Sequence, residues 1–176
     1  VMEKEQPFSM MFWGPPGSGK TTLARIIAKT AEADIHKLSA VSSGVKELRK
    51  VITQGEKNKD LGKVTILFID EIHRFSKSQQ DTLLNAVEDG TVILIGATTE
   101  NPSFEIISPL LSRCKVLVLN PLSNAALETI LDHAFNTDIL LQKNQVDLSQ
   151  KIRGQLIQSA GGDARKLLNT LEVSMH

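Results

Sequence analysis

The chain has 176 residues, 41% of them hydrophobic and 23% charged, a composition typical of a soluble globular protein that excludes collagen-like and fully disordered chains. Lysines and arginines number 20, and so do aspartates and glutamates, so bulk charge does not draw the chain to nucleic acid or an anionic membrane. The length is sufficient for one domain, or for one large and one small domain.

Cysteine content and hydropathy indicate the compartment. The single cysteine, Cys114, has no partner for an internal disulfide, which favours a reducing environment. No apolar run approaches the roughly 18 residues that a membrane span requires. We therefore expect a cytoplasmic protein with no membrane partner. Because the chain begins at Val1 and stops within a helical pattern, we also expect it to be a fragment of a longer protein.

The amino-terminal segment predicts a strand, a glycine-rich loop and a helix. The apolar run at residues 8–13 predicts a buried strand that enters a tight turn. Leu23, Ile26 and Ile27 then recur with helical spacing and predict one apolar helix face. A second short strand is predicted near residues 35–38.

A second helix is predicted from Gly44 onward. Its apolar face comprises four residues, Val45, Leu48, Val51 and Ile52. Three lysines and two glycines follow within residues 55–63, which we predict to be an exposed loop.

The central segment predicts strands that alternate with helices. The β-branched run at residues 64–69 indicates a central parallel strand covered on both faces, and it ends abruptly at Asp70 and Glu71. Further elements are predicted as a helix near residues 83–87, a strand at 92–97, a short helix at 109–112 and a strand at 116–119. This alternation predicts an α/β fold whose parallel sheet is flanked by helices.

From residue 121 onward the pattern predicts helices only. Ser123 is placed to cap the first of these helices and Asp163 the last. We therefore predict an α/β domain at residues 1–120 and a small all-helical domain at residues 121–176, which we expect to be incomplete.

Residues 14–21 satisfy the phosphate-loop pattern G-x-x-x-x-G-K-[ST], and they do so between a predicted strand and a predicted helix. The alternative is a purely structural turn, but the pattern in this position is specific. Backbone N–H groups of such a loop face a polyphosphate, the Lys20 ammonium reaches its β and γ phosphates, and the Thr21 hydroxyl ligates Mg²⁺. The predicted nucleotide-binding residues of this segment are Gly14, Pro15, Pro16, Gly17, Ser18, Gly19, Lys20, Thr21 and Thr22.

Asp70 and Glu71 follow the predicted central strand, at the edge where ligands bind in open α/β sheets. Beside a phosphate loop, Asp70 is predicted to hold Mg²⁺ through water, and Glu71 to polarise the attacking water. The alternative is a helix cap and a solvated acid. Because hydrolysis needs a base for water, the acid pair indicates an NTPase rather than a kinase of small molecules.

Five motifs together resemble one family. They are the phosphate loop, Asp70-Glu71-Ile72-His73-Arg74-Phe75, Gly96 to Phe104, Ser112-Arg113-Cys114 and Gly161-Gly162-Asp163-Ala164-Arg165. The chain resembles the AAA+ ATPases of the clamp-loader clade and, more narrowly, the RarA/MgsA family, the bacterial counterpart of Werner-helicase-interacting protein. The resemblance covers nearly the whole chain and implies a P-loop NTPase fold, a helical lid, and ATP and Mg²⁺ as cofactors.

The resemblance also implies roles for residues outside the phosphate loop and the acid pair. Thr99 matches the sensor 1 position, with Thr98 as the alternative one residue away. Arg113 matches the arginine finger, which acts on the nucleotide of a neighbouring subunit, and Arg165 matches sensor 2, which contacts the γ-phosphate in its own subunit. Without the resemblance, Arg113 is an ordinary helix-end residue and Arg165 a surface residue. The implied catalytic set is Glu71, Lys20, Thr99, Arg113 and Arg165; Asp70 and Arg165 join the nucleotide-binding residues, and Thr21 and Asp70 are the metal ligands.

In function, the resemblance implies an ATPase of the bacterial cytosol and nucleoid that acts on DNA in replication-fork maintenance, recombination and repair. The implied partners are forked or single-stranded DNA, single-strand DNA-binding protein, and further copies of the full-length protein in a tetramer or similar ring. The alternative is a nucleotide-gated subunit, similar to a clamp loader or a branch-migration helicase, in which ATP mainly controls assembly on DNA. Glu71 favours hydrolysis. We expect the fragment alone to bind DNA weakly.

The remaining polar residues carry less specific expectations. Five basic residues form a stripe that is expected either to line a DNA channel or to be merely the solvated side of a helix. They are Lys46, Arg49, Lys50, Arg74 and Lys77. Cys114 is expected to be a small buried residue. His36, His73, His133 and His176 lack metal-ligand spacing. His73 is expected to have a structural packing role or to hydrogen-bond the loop rather than to act in catalysis.

Overall fold

The fold is described from a computed structural model, in which residues 7–138 and 148–174 are described. The chain forms two compact units. The first contains residues 7–14 and Lys20–Leu119, and the second contains Pro15–Gly19 together with the described residues from Asn120 onward.

Five parallel strands form one sheet in the first unit. They are β1 at Met10–Trp13, β2 at Asp34–Ser39, β3 at Thr65–Asp70, β4 at Ile93–Thr98 and β5 at Lys115–Val118. They lie in the order β2-β3-β4-β1-β5, and every neighbouring pair is parallel. The predicted α/β fold with a parallel sheet is confirmed.

The helices of the first unit cover both faces of this sheet. They are α1 at Lys20–Thr30, α2 at Val45–Asp60, α3 at Lys77–Glu88, and two single turns, α4 at Pro102–Glu105 and α5 at Ser108–Leu111; a 3₁₀ turn at Ile72–Arg74 follows β3. Ala24 and Ala28 of α1 share one apolar cluster with Ile66 and Phe68 of β3. Leu67 belongs to the cluster on the opposite face, with α2 and α3. Because both faces of β3 are covered, its sequence is a continuous apolar run.

Helix α2 is longer than predicted. It continues to Asp60, so the predicted loop at residues 55–63 is wrong for most of its length. Gly55 is buried within the helix, and a Cβ atom there would come within 2.8 Å of the Thr91 carbonyl oxygen. The glycine therefore permits close packing against the segment before β4 instead of ending the helix.

The predicted apolar face of helix α1 is partly correct, since Leu23 and Ile27 pack, partly buried, against the apolar cluster that includes Ala24 and Ala28. The buried residues of α1 are Lys20, Ala24 and Ala28, whereas Ile26 is 56% exposed. Residues spaced by four lie on one side of a helix, so the face that buries Lys20 also buries the two alanines.

The second unit is helical, as predicted. Its described helices are α6 at Asn124–Thr137, α7 at Gln150–Ala160 and α8 at Ala164–Val173. Their shared core is apolar and comprises Leu127, Leu131, Ile157, Ala160, Leu167 and Leu171. The predicted caps are confirmed, since the Ser123 hydroxyl accepts a bond of 3.2 Å from the Ala126 N–H and Asp163 accepts one of 2.8 Å from the Arg165 N–H.

An arginine also joins two helices of this unit. Arg153 on α7 donates to the Glu128 carboxylate on α6 at 2.7 Å and forms an ion pair with Asp132 on the same helix. Its guanidinium lies 5.9 Å from the centroid of the Phe135 ring. Among the helices described in both units, none is both long and apolar enough to cross a lipid bilayer.

Candidate nucleotide-binding site

The carboxyl ends of three neighbouring strands define the site. Strand β4 lies between β3 and β1, with Ile69 opposite Gly96 and Trp13 opposite Thr98. Because the strands are parallel and in this register, the segments after all three leave the sheet at one edge. In open α/β sheets this is the edge that binds ligands.

The phosphate loop leaves this edge directly after β1. The Gly14 N–H donates to the Thr98 carbonyl at 3.2 Å, which joins the start of the loop to the end of β4. Gly17 and Gly19 have φ angles of 68° and 89°, in the left-handed region that side chains rarely adopt. These two glycines therefore allow the chain to turn sharply into α1.

Lys20 and Ser18 are the buried polar residues of the loop. Lys20 is the first residue of α1 and only 8% exposed, and its Nζ donates to the Gly14 carbonyl at 2.7 Å. The Ser18 hydroxyl donates to the Pro15 carbonyl at 2.9 Å. Thr21 is half-buried in the first turn of α1. A helix amino-terminus and a lysine ammonium both favour bound anions.

The acid pair follows β3 at the same edge. Asp70 is the last residue of β3 and is half-buried, and Glu71 follows with a left-handed backbone at φ 54° and ψ 45°. For a residue with a side chain this conformation costs about 1–2 kcal/mol. Glu71 is thereby turned toward Thr99, whose hydroxyl donates to its Oε2 at 3.5 Å.

The two adjacent threonines occupy different environments. Thr98 is completely buried, and its hydroxyl bonds the Glu100 backbone and lies 2.9 Å from Nδ1 of His73. Thr99 is half-buried and contacts Glu71. The structure therefore brings Thr99, rather than Thr98, to the predicted base.

The chemistry of the predicted ligands shows whether they suit Mg²⁺. Asp70 and Thr21 offer a carboxylate and a hydroxyl, the hard oxygen donors that Mg²⁺ prefers. Across residues 7–138 and 148–174, no group of three or more His, Cys, Asp or Glu residues could hold a metal ion by itself. The donors thus fit a cation that takes its remaining ligands from water and phosphate, as Mg²⁺ does at nucleotide sites.

Arg113 is not brought to the phosphate loop of its own chain. It precedes β5, whose first residue, Lys115, lies opposite the first residue of β1, so Arg113 is at the amino edge of the sheet. The Arg113 side chain is 40% exposed, and its guanidinium donates to the Pro109 carbonyl at 2.7 Å and forms an ion pair with Glu88 at the end of α3. Sequence reasoning missed Glu88 because no local pattern links it to Arg113.

Within the second unit, the segment that carries Arg165 contacts the phosphate loop. The Ala164 N–H donates to the Gly17 carbonyl at 3.3 Å, and a Cβ atom on Gly17 would overlap the Asp163 carboxylate. Arg165 is the second residue of α8 and its side chain is exposed. The sequence predicted Asp163 only as a helix cap, because its contact with Gly17 depends on tertiary structure.

Cys114 and His36 have roles that need no ligand. Burial raises the pKa of the Cys114 thiol to about 11, so this thiol is protonated and poorly reactive at neutral pH. His36 lies 3.1 Å from the Asp34 carboxylate on the same strand. His73 contacts the Glu71 and Thr98 side chains, so it does hydrogen-bond the region after β3 and β4.

A phosphate loop, an acid pair and a polar residue directly after the strand between them define a P-loop NTPase site. Residues 10–122 match the model of the "ATPase family associated with various cellular activities (AAA)". The chain belongs to this family, and this membership implies that it binds nucleotide.

Relatives confirm the narrower resemblance. The chain is 51% identical to replication-associated recombination protein A of Escherichia coli over 166 residues, which are 94% of the chain and 37% of that protein. It is 47% identical to ATPase WRNIP1 of Dictyostelium discoideum over 95% of the chain and 19% of that protein. The chain thus spans well under half the length of these relatives.

Solved structures show the same fold. The RuvB Holliday junction branch migration motor of Thermotoga maritima superposes with a TM-score of 0.72 at 28% identity, over 96% of this chain and 54% of that one. The predicted P-loop fold is therefore confirmed.

We expect Lys20→Ala to weaken the binding of Mg-ATP at least about tenfold, because a charge-assisted contact to phosphate contributes about 1.5–3 kcal/mol. Titration with a fluorescent ATP analogue measures the affinity, and circular dichroism checks the fold. Lys29→Ala, an exposed lysine in the last turn of α1, is the matched control. Unchanged affinity and turnover in Lys20→Ala would contradict the site.

Proposed function

We propose that the chain binds ATP with Mg²⁺ and hydrolyses it to ADP and phosphate. The observation that carries this proposal is the contact between Glu71 and Thr99, which follow directly after neighbouring strands at the sheet edge from which the phosphate loop also leaves. A carboxylate held beside a phosphate loop can accept a proton from an attacking water. A site that only binds nucleotide has no need of such a base.

Each residue of the site has a proposed role. The loop residues and Thr22 hold the phosphates, and Lys20 neutralises charge on the β and γ groups. Thr21 and Asp70 hold Mg²⁺, which would offset negative charge on the phosphates as the γ-phosphate leaves. Glu71 accepts the proton of water, and Thr99 orients that water or the γ-phosphate. These assignments rest on the donor types and on the edge of the sheet that they share.

Two arginines complete the proposed chemistry from different subunits. Arg165 contacts the γ-phosphate within its own chain, and the support for this is the contact of neighbouring Asp163 with Gly17. Arg113 serves the nucleotide of a neighbouring subunit, since it lies at the amino edge of the sheet and its side chain is 40% exposed. In these terms, residues 1–120 are the nucleotide-binding domain and residues 121–176 part of a lid domain.

For the whole protein, we propose an ATPase that acts on DNA in replication-fork maintenance, recombination and repair. The support is the similarity to replication-associated recombination protein A. A second candidate is a nucleotide-gated, clamp-loader-like or branch-migration subunit, which the likeness to the RuvB motor favours. The proposed partners are forked or single-stranded DNA, single-strand DNA-binding protein, and further copies in a tetramer or similar ring. The proposed location is the bacterial cytosol and nucleoid.

A basic groove on α2 is the proposed DNA contact. It has a volume of about 620 Å³ and is lined by Val45, Lys46, Arg49, Lys50, Thr53, Gln54 and Lys57. Four of these seven residues are cationic, so the groove would attract phosphate backbones despite the zero net charge of the chain. Arg74 and Lys77 are exposed but do not line it.

We expect Glu71→Gln to bind ATP with nearly unchanged affinity and to hydrolyse it at least about a hundredfold more slowly, because the amide keeps the shape and loses the proton acceptor. Phosphate release and nucleotide titration measure the two effects. The exposed Glu56→Gln on α2 is the control. If the variant loses ATP binding and hydrolysis equally, Glu71 is not the base.

Arg113→Ala is expected to leave ATP affinity unchanged and to reduce hydrolysis by the full-length assembly about 10³-fold or more, because arginine fingers act on transition-state charge. Mixing these subunits with Lys20→Ala subunits should restore part of the ATPase rate, wherever an intact Arg113 faces an intact loop. If mixed oligomers form without recovery, and the isolated monomer already matches the assembly's rate, the trans role is wrong.

Charge reversal in the groove tests the DNA contact. Lys46→Glu with Lys50→Glu should weaken binding of forked and single-stranded DNA about tenfold or more. The salt dependence of binding should also become less steep, because fewer phosphate contacts release fewer counterions from the DNA. The control is a double variant at exposed residues of α1, Arg25→Glu with Lys29→Glu, which changes the net charge by the same amount. If both double variants lose equal affinity, bulk charge rather than the groove explains binding.

A further inference from the structure

The Thr99 hydroxyl and the His73 ring both contact a single oxygen of the Glu71 carboxylate. The Thr99 hydroxyl donates to Oε2 at 3.5 Å, and Nδ1 of His73 lies 3.3 Å from the same Oε2. Among the described residues, no hydrogen bond or ion pair reaches Oε1 of Glu71. The protein therefore contacts one oxygen of the carboxylate, Oε2, and leaves the other, Oε1, for a small molecule such as water.

The hydrogen bonds around Thr98 determine which ring nitrogen of His73 carries a proton. The Thr98 hydroxyl donates its only proton to the Glu100 carbonyl at 3.2 Å and accepts from the Glu100 N–H at 3.0 Å. Its remaining capacity is as an acceptor, from His73 Nδ1 at 2.9 Å. An ionised carboxylate also only accepts. Both neighbours of Nδ1 thus favour an N–H there, which bonds Thr98 at 2.9 Å and lies 3.3 Å from Oε2 of Glu71.

The backbone fixes the position of this ring. His73 lies in the 3₁₀ turn at Ile72–Arg74, between Ile72 and Phe75, which are 0% and 3% exposed in the core. The turn is closed by bonds from the Arg74 N–H to the Glu71 carbonyl at 2.9 Å and from the Phe75 N–H to the Ile72 carbonyl at 3.0 Å. The His73 side chain itself is 13% exposed. The imidazole is therefore held against Thr98 at the end of β4 and Glu71 after β3 before any ligand binds.

We infer that His73 is a positioning residue for Glu71. Its Nδ1–H, anchored on Thr98, holds Oε2 and orients Oε1 toward the attacking water. The inference rests on the proposed function, because it assumes that Glu71 is the base. It adds that the base has one working oxygen, selected by a histidine that neither touches nucleotide nor transfers a proton. Displacing an oriented catalytic group by about 1 Å can cost about a hundredfold in rate.

The test compares side chains of one shape at position 73 in the full-length protein. Asparagine and leucine branch alike at Cγ, but only asparagine carries an N–H near the position of Nδ1. His73→Asn should retain kcat within about threefold, whereas His73→Leu should lose about tenfold to a hundredfold. KM and the affinity for a fluorescent ATP analogue should stay within about twofold in both variants, since the phosphate contacts are untouched.

Controls separate this inference from a failure of the proposed function. If Glu71→Gln hydrolyses ATP at the wild-type rate, the base assignment fails and the role of His73 fails with it. If Glu71→Gln is inactive while folded His73→Leu and His73→Asn share one kcat, only the inference about His73 is overturned. Thermal unfolding checks each variant, and His36→Asn, on β2, controls for loss of a histidine.

A further variant decides the outcome even if His73→Leu does not fold. His73→Asp has the shape of asparagine but places a second carboxylate against Glu71. It should lose kcat at least as strongly as expected for leucine, while His73→Asn remains active. Equal activity of the asparagine and aspartate variants would show that no donor is needed at this position.

Discussion

The parallel register of β3, β4 and β1 is the constraint on which the site depends. Glu71, Thr99 and the phosphate loop lie far apart in the sequence, yet each follows directly after one of three adjacent strands. Their proximity therefore requires no long side chains or special loops. The buried apolar faces of β3 hold this register, because a slip by one residue would exchange the faces that contact α1 and α2.

Much of the fold could be predicted because its signals are local. The apolar run of β3, the glycines of the phosphate loop and the caps Ser123 and Asp163 act through neighbouring residues in the sequence. The end of α2 could not be predicted in this way. Gly55 normally disfavours a helix, and only the approach of Thr91 gives it a packing role.

The site shows the same division. Lys20, Asp70 and Glu71 could be identified because they belong to contiguous motifs. The choice between Thr98 and Thr99 required the structure, since successive residues of extended backbone turn their side chains to opposite sides. The contact of His73 with Glu71 and the pairing of Arg113 with Glu88 join separate elements, and no spacing in the sequence specifies them.

For the proposed role of Arg113 at a neighbour's nucleotide, its pairing with Glu88 implies an exchange of electrostatic partners. Both side chains are more than a third exposed, and a solvated pair of this kind contributes about 0–1 kcal/mol. A triphosphate carries more negative charge than one carboxylate and would displace Glu88 at little cost. Until a neighbouring subunit binds, Glu88 would keep the Arg113 guanidinium at the surface and available for that exchange.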